Sequence, residues 1–175
     1  MKHRTSDALR DRGVDYKKGR VFMLTIEKVI EAKALIEAMN LQTPMIKSGL
    51  DESHGNVYLK CENLQQTGSF KLRGATYFMS QIPQEDKQKG VVAWSAGNHA
   101  QGVAKAAQLN GLDATIFIPI SGSLTKIENT RSYGAEVVLS NGLLDVAHVD
   151  AMAFQEKTGA IAIPPYDDEN IVAGQ

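Results

Sequence analysis

Val91-Val92-Ala93-Trp94-Ser95-Ala96-Gly97-Asn98-His99-Ala100-Gln101-Gly102 is the stretch that sets the fold class. Four apolar residues suit a strand buried on both faces, Ser95 to Asn98 forms a small-residue turn, and a helix starts at His99. The same unit recurs downstream. Short apolar runs at 91–94, 114–118, 136–139 and 160–163 alternate with segments of helical character over about 98–110, 123–133 and 144–157. Gly111, Gly134 and Gly159 stand just past those segments, where a left-handed cap favours glycine. This alternation predicts an α/β fold built of βαβ units, with open parallel sheets, flanking helices and right-handed crossovers. The spacing is the beat of that architecture and not a solenoid repeat, because the segments share no sequence.

Upstream, Ser69-Phe70-Lys71-Leu72-Arg73-Gly74-Ala75 follows the polar turn Gln65-Gln66-Thr67-Gly68 and opens a second helix, with Gly74 and Ala75 small enough for close packing. An amine buried beside a helix start loses affinity for its proton, since desolvation and the positive helix end both disfavour the ammonium form. Such a lysine can form an imine with an aldehyde and later carry a proton. Taken alone, the heptapeptide reads first as a solvated helix with Lys71 at its surface. The Ser95–Asn98 turn has two readings as well. Its backbone N–H groups suit an anion at a helix N-terminus, with Asn98 as an amide donor, or the turn is only a strand-to-helix connection capped by Asn98. Neither Gly-x-Gly-x-x-Gly nor Gly-x-x-x-x-Gly-Lys-Ser/Thr occurs, which argues against nucleotide phosphates.

Before these motifs, Ile26, Val29, Ile30, Leu35, Ile36 and Met39 share a helical face with Thr25 as N-cap, and Thr43-Pro44 breaks that helix. Asn56 to Cys61 alternates like a strand, with Cys61 expected to be a small buried hydrophobe. His3, His54 and His148 show no metal-ligand spacing and are expected at the surface, so no metal site is predicted. Asp167-Asp168-Glu169 fits a polar turn as well as a cation site, and Asn170 to Gln175 reads as the first turn of a helix.

The 175 residues are 43% apolar with a net charge of −1, which allows one substantial core and gives no reason to expect nucleic acid or an anionic membrane as partner. No apolar run approaches the roughly 20 residues that span a bilayer, and Val21 to Leu24 is too short for a signal-peptide core. A single cysteine, Cys61, permits no internal disulfide and fits a reducing compartment. A cytoplasmic location is expected.

In this order and spacing, the Lys71 segment and the Ser95–Gly102 segment resemble the fold-type II pyridoxal-phosphate enzymes (tryptophan synthase β-like), specifically the threonine/serine dehydratase and serine racemase branch. The likeness extends to Lys60-Cys61-Glu62-Asn63-Leu64-Gln65, Thr125-Lys126-Ile127, Tyr133-Gly134-Ala135-Glu136-Val137-Val138-Leu139 and Ile163-Pro164-Pro165-Tyr166-Asp167-Asp168. It covers the chain from about residue 25 and is closest to the catabolic threonine dehydratases (threonine ammonia-lyases). The resemblance implies that pyridoxal 5′-phosphate is held covalently on Lys71, with Phe70 packed on its ring and Asn98 bonded to the ring oxygen. It implies that Ser95, Ala96, Gly97 and His99 form the loop that grips the substrate carboxylate. The implied reaction is deamination of L-threonine or L-serine to a 2-oxo acid and ammonia, in isoleucine biosynthesis or threonine catabolism, by a homo-oligomeric dimer or tetramer.

The resemblance also divides the chain: a tail at 1–24, the first part of a larger cofactor domain at 25–88, a small βαβ domain at 89–164, and a return to the larger domain at 165–175. The phosphate-binding glycine run and the partner of the pyridine nitrogen are expected beyond residue 175. The 175 residues alone are therefore expected to be an inactive fragment. Serine racemases carry a serine where this chain has Ala96, so the resemblance favours elimination over racemisation. A racemase, another type II lyase, and a non-catalytic fragment or regulatory remnant are the alternatives.

Overall fold

The computed structural model describes residues 24–39, 41–49, 53 and 55–175. Its centre is a four-stranded parallel sheet of β3 (Val91–Trp94), β4 (Ala114–Pro119), β5 (Glu136–Ser140) and β6 (Ile161–Ala162), ordered β5-β4-β3-β6. β4 is buried along its whole length and β3 up to Trp94, as expected of parallel strands covered on both faces. β5, at one edge, is only partly covered. Val91 pairs with Ala114 on one side and with Ile161 on the other, and Thr115 pairs with Glu136.

Side-chain alternation sorts the two faces. Val91, Ala93, Ile116 and Ile118 pack into one core with Ala100, Val103, Ala104 and Ala107 of α3 (Asn98–Asn110). Val92 and Phe117 face the other way, onto Ala147 and Ala151 of α5 (Leu144–Thr158). The chain runs β3, α3, β4, α4 (Leu124–Ser132), β5, then returns through α5 on the opposite face to place β6 beside β3. Strand order thus reverses between β3 and β6, and open α/β sheets bind ligands at the carboxyl ends of strands at such a point. The predicted helix ends hold: Gly111 and Gly159 cap α3 and α5 in the left-handed region, at φ 66° and 76°.

α2 (Lys71–Ser80) packs on α3, and their approach is set by Gly102. A Cβ there would lie 2.9 Å from the Lys71 carbonyl carbon and 3.0 Å from Leu72 N. α6 (Glu169–Gly174) crosses α2 just as closely, since a Cβ on Gly174 would lie 2.8 Å from Gly74 Cα. Small residues at 74 and 102 therefore let two helices touch the backbone that carries Lys71.

α1 (Ile26–Ala38) begins as predicted, Thr25 Oγ1 accepting from Lys28 N at 3.3 Å. Thr43-Pro44 does not terminate it; the helix is already capped at Met39. The predicted strand at 56–61 is shorter, β2 (Tyr58–Lys60), and pairs antiparallel with β1 (Met45–Lys47). Both strands are exposed throughout, so the alternation at 56–61 does not mark a buried face. Cys61 lies past the strand and is half-buried, with Sγ 3.6 Å from Leu59 O, and not the enclosed hydrophobe expected. His148 is exposed, as expected, and stacks on Trp94 with ring centroids 4.2 Å apart. The expected tail at 1–24 lies, save Leu24, outside the described residues, as do His3 and His54. Among the described residues, no helix is long and apolar enough to cross a membrane.

Candidate active site

Three segments converge at the carboxyl ends of β3 and β6: the start of α2, the turn from β3 into α3, and the exit from β6. Lys71 is the first residue of α2 and is half-buried. Its Nζ donates to the carbonyl of Pro165 and lies 5.2 Å from the centroid of the Phe70 ring. Partial burial lowers the affinity of this amine for its proton. Phe70 itself is 43% exposed, which leaves ring surface open beside the amine.

The turn is held by its own polar atoms. Ser95 N continues the sheet by donating to Phe117 O at 3.1 Å, and Gly97 N donates to Ser95 Oγ at 3.1 Å. Gly97 is the N-cap of α3 and Asn98 its first residue, so the capping role weighed for Asn98 falls to Gly97. The first N–H groups of a helix lack intrahelical partners and sit at its positive end, so residues 98–100 present donors at the mouth of the turn. Ala96 and Asn98 are exposed there. Asn98 Oδ1 accepts from Lys126 Nζ at 3.0 Å.

His99 points the other way. Its ring is buried, with Nε2 2.9 Å from Ile163 O. A carbonyl only accepts, so Nε2 carries the hydrogen and Nδ1 keeps a lone pair. Nδ1 is buried with no hydrogen-bond partner. Burial, reinforced by the positive charge of Lys71 and opposed by the bond to Ile163, lowers the His99 pKa to about 4. His99 is therefore a neutral brace. Together Lys71 and His99 supply two donors that hold the exit of β6 against the starts of α2 and α3.

The predicted residues Phe70, Lys71, Ser95, Ala96, Gly97, Asn98 and His99 thus lie on adjoining segments, with the His99 ring turned inward from the turn. The carbonyls of Ile163 and Pro165 and the ammonium of Lys126 join them without having been singled out as site groups. α4 follows a strand adjacent to β3, so the first turns of α3 and α4 share one sheet edge; a lysine three residues into α4 was the available signal. A cavity of about 310 Å³, lined by Ala104, Gln108, Leu112, Asp113, Tyr133 and Ala135 among others, lies at the far end of α3 and is separate from this site.

The sequence profile of the family described as "Pyridoxal-phosphate dependent enzyme" matches residues 36–175. The chain belongs to this family. It is 44% identical over 155 residues to the L-threonine ammonia-lyase of Thermotoga maritima, covering 87% of this chain and 39% of that protein. It is 51% identical over 119 residues to the L-threonine ammonia-lyase of Geobacter sulfurreducens, covering 68% of this chain and 30% of the other. Among solved structures it resembles maize serine racemase with a TM-score of 0.79 and 33% identity, covering 87% of this chain and 47% of that one. The chain therefore spans less than half the length of each. The predicted α/β architecture of the fold-type II enzymes is the one observed.

The family's cofactor is pyridoxal phosphate, and the donor set here suits it. A partly desolvated primary amine stands beside an aromatic ring, and the adjoining turn brings the Asn98 amide and the N–H groups of a helix start. Ser69 Oγ, two residues before Lys71, is buried without a hydrogen-bond partner, as is His99 Nδ1. Buried polar atoms of this kind are ordinarily satisfied, so the Ser69 hydroxyl, two residues before Lys71, fits a site that receives a polar group.

Proposed function

We propose that this chain supplies the lysine-bearing part of a pyridoxal-phosphate-dependent ammonia-lyase that deaminates L-threonine or L-serine to a 2-oxo acid and ammonia. The observation that carries the proposal is the placement of Lys71 Nζ, half-buried at the β3/β6 switch point and bonded to Pro165 O beside the Ser95–Asn98 turn. The similarity to two threonine ammonia-lyases supports it.

When bound, pyridoxal phosphate supplies an aldehyde that a lysine amine can capture and a ring that withdraws electrons from the substrate α-carbon. Lys71 would hold it, with Phe70 covering part of the ring and Asn98 donating to the ring oxygen. The lowered proton affinity of Nζ makes more of its neutral amine available near neutral pH, where that atom must act as nucleophile and then as base. Backbone donors at the start of α3, with Ser95 to Gly97 shaping the turn, would receive the substrate carboxylate; His99 contributes its backbone N–H there while its ring braces β6. The same reading keeps residues 89–164 as the smaller domain, with 25–88 and 165–175 belonging to the larger. It places the protein in the cytoplasm as a homo-oligomer.

Racemisation is the competing reading, since the solved structures include serine racemase. Ala96 weighs against it, because a methyl group at the exposed apex of the turn cannot exchange a proton. The test is borohydride reduction of the cofactor-loaded protein that carries this sequence, followed by peptide mapping and product assays. The expected result is a label on Lys71 and release of 2-oxobutanoate from L-threonine or pyruvate from L-serine. A label on another lysine, or racemised serine with no oxo acid, would sink the proposal.

A further inference from the structure

Lys126 is the third residue of α4 after its N-cap, Ser123. Its side chain reaches back to the first residue of α3. The two helices meet again one turn further along, where Asn129 Nδ2 donates to Gln101 Oε1 at 3.1 Å and Gln101 is buried. Lys126 and Asn129 are three apart on α4, and Asn98 and Gln101 are three apart on α3, so both pairs follow one helical register. The fully buried Thr130 adds an anchor, its Oγ1 donating to Lys126 O at 2.7 Å. Gly97 gives the ammonium room: a Cβ there would lie 3.2 Å from Lys126 Nζ.

Helix stability alone does not account for a cation here. Nζ lies beside the positive end of α3 and Lys126 belongs to the first turn of α4, where an acidic residue would be favoured. Neither helix has an acidic residue in its first turn. What the ammonium does accomplish is geometric. The two ends of an asparagine amide have nearly the same shape, and a half-turn exchanges a donor for an acceptor. An ammonium only donates, so it holds Oδ1 toward itself and leaves both Nδ2 hydrogens facing away.

We infer that Lys126 is a positioning residue that locks the Asn98 amide with its donor end free for the anionic ring oxygen of the cofactor. This rests on the reading of Lys71 and Asn98 as cofactor-binding residues. The test uses the protein carrying this sequence, titrated with pyridoxal phosphate, alongside Lys126→Met, Lys126→Arg and Asn129→Leu. The readouts are cofactor affinity, the visible absorbance of the bound cofactor, melting temperature and the borohydride label. Lys126→Met is expected to weaken cofactor binding about tenfold, the scale of one lost hydrogen bond, and to shift the absorbance maximum. Lys126→Arg, which also only donates, is expected to restore both. Asn129→Leu loosens the same helix contact and is expected to lower the melting temperature while leaving affinity and absorbance unchanged. The inference fails if Lys126→Met binds within twofold of the unsubstituted protein with the same spectrum, or if Asn129→Leu reproduces its effects. A label away from Lys71 in the unsubstituted protein would instead overturn the site reading, and the inference with it.

Discussion

Gly102 and Lys71 meet backbone to backbone, so closely that a Cβ on Gly102 would stand 2.9 Å from the Lys71 carbonyl carbon. The approach brings α3 against the peptide that carries the amine, and it links the position of Lys71 to the sheet through a helix that is buried from His99 to Ala104. Gly102→Ala must push the two helices apart, because the atoms it meets are backbone and cannot rotate away. The expected cost is about 1–3 kcal/mol of stability, measured by chemical denaturation. Borohydride labelling of Lys71 should fall in the same variant, since the amine moves with its helix. Unchanged stability and labelling would show that the contact is not tight in solution.

His99 makes stability depend on pH. Its pKa of about 4 in the folded protein lies below its ordinary value of 6.5. Between these values the unfolded chain binds more protons than the folded one, so stability rises with pH across the window. The contribution is complete above 6.5 and is lost as pH falls toward 4, with a size of about 3 kcal/mol. His99→Gln keeps an N–H donor for Ile163 O without a titrating group. Its denaturation midpoint should be flatter between pH 6.5 and 4 than that of the unsubstituted protein. Parallel curves would show that the ring is not buried neutral.

Asp168 and Lys28 test two kinds of polar contact at one helix. Asp168 Oδ1 caps α6 by accepting from Asn170 N at 2.8 Å and Ile171 N at 3.2 Å. Its neighbour Glu169 pairs with Lys28 at 3.0 Å, with both side chains partly exposed. An N-cap removed by Asp→Ala costs about 1 kcal/mol, whereas a surface ion pair contributes about 0.2–1 kcal/mol and is screened by salt. Asp168→Ala should therefore destabilise more than Lys28→Ala, and the gap should widen in high salt. The reverse order in urea denaturation would refute the capping account.

Residues 91–163 were readable because buried parallel strands announce themselves as unbroken apolar runs and glycine marks the ends of their helices. β1 was not, since a three-residue strand with every side chain exposed carries no pattern, and β2 was legible only as the longer alternation at 56–61. Lys71 and the Ser95–Asn98 turn were legible as motifs. The inward turn of His99 was hidden because its partner, Ile163 O, lies 64 residues away and reaches it only when β6 returns beside β3. Lys126 was hidden for a related reason, its partner Asn98 lying one crossover earlier.

The turn at the site also predicts how its chemistry can be widened. Ser95 Oγ already accepts from Gly97 N, which ties that hydroxyl to the geometry of the turn. Ala96 is exposed and its side chain carries no exchangeable proton; under the proposed function, proton exchange at the substrate α-carbon would be left to Lys71 alone. Ala96→Ser adds a hydroxyl without enlarging the side chain by more than one atom, at a place with solvent beside it. Positioned acid–base groups accelerate proton transfer by about 10²–10⁴-fold, so a hydroxyl that faces the substrate from position 96 should bring about 10²-fold more D-serine from L-serine on chiral chromatography. Deamination should persist, because Lys71 is untouched. If no D-serine accumulates while Lys71 still takes the borohydride label, the side chain at 96 does not face the substrate, and the contrast between elimination and racemisation must be sought elsewhere in the site.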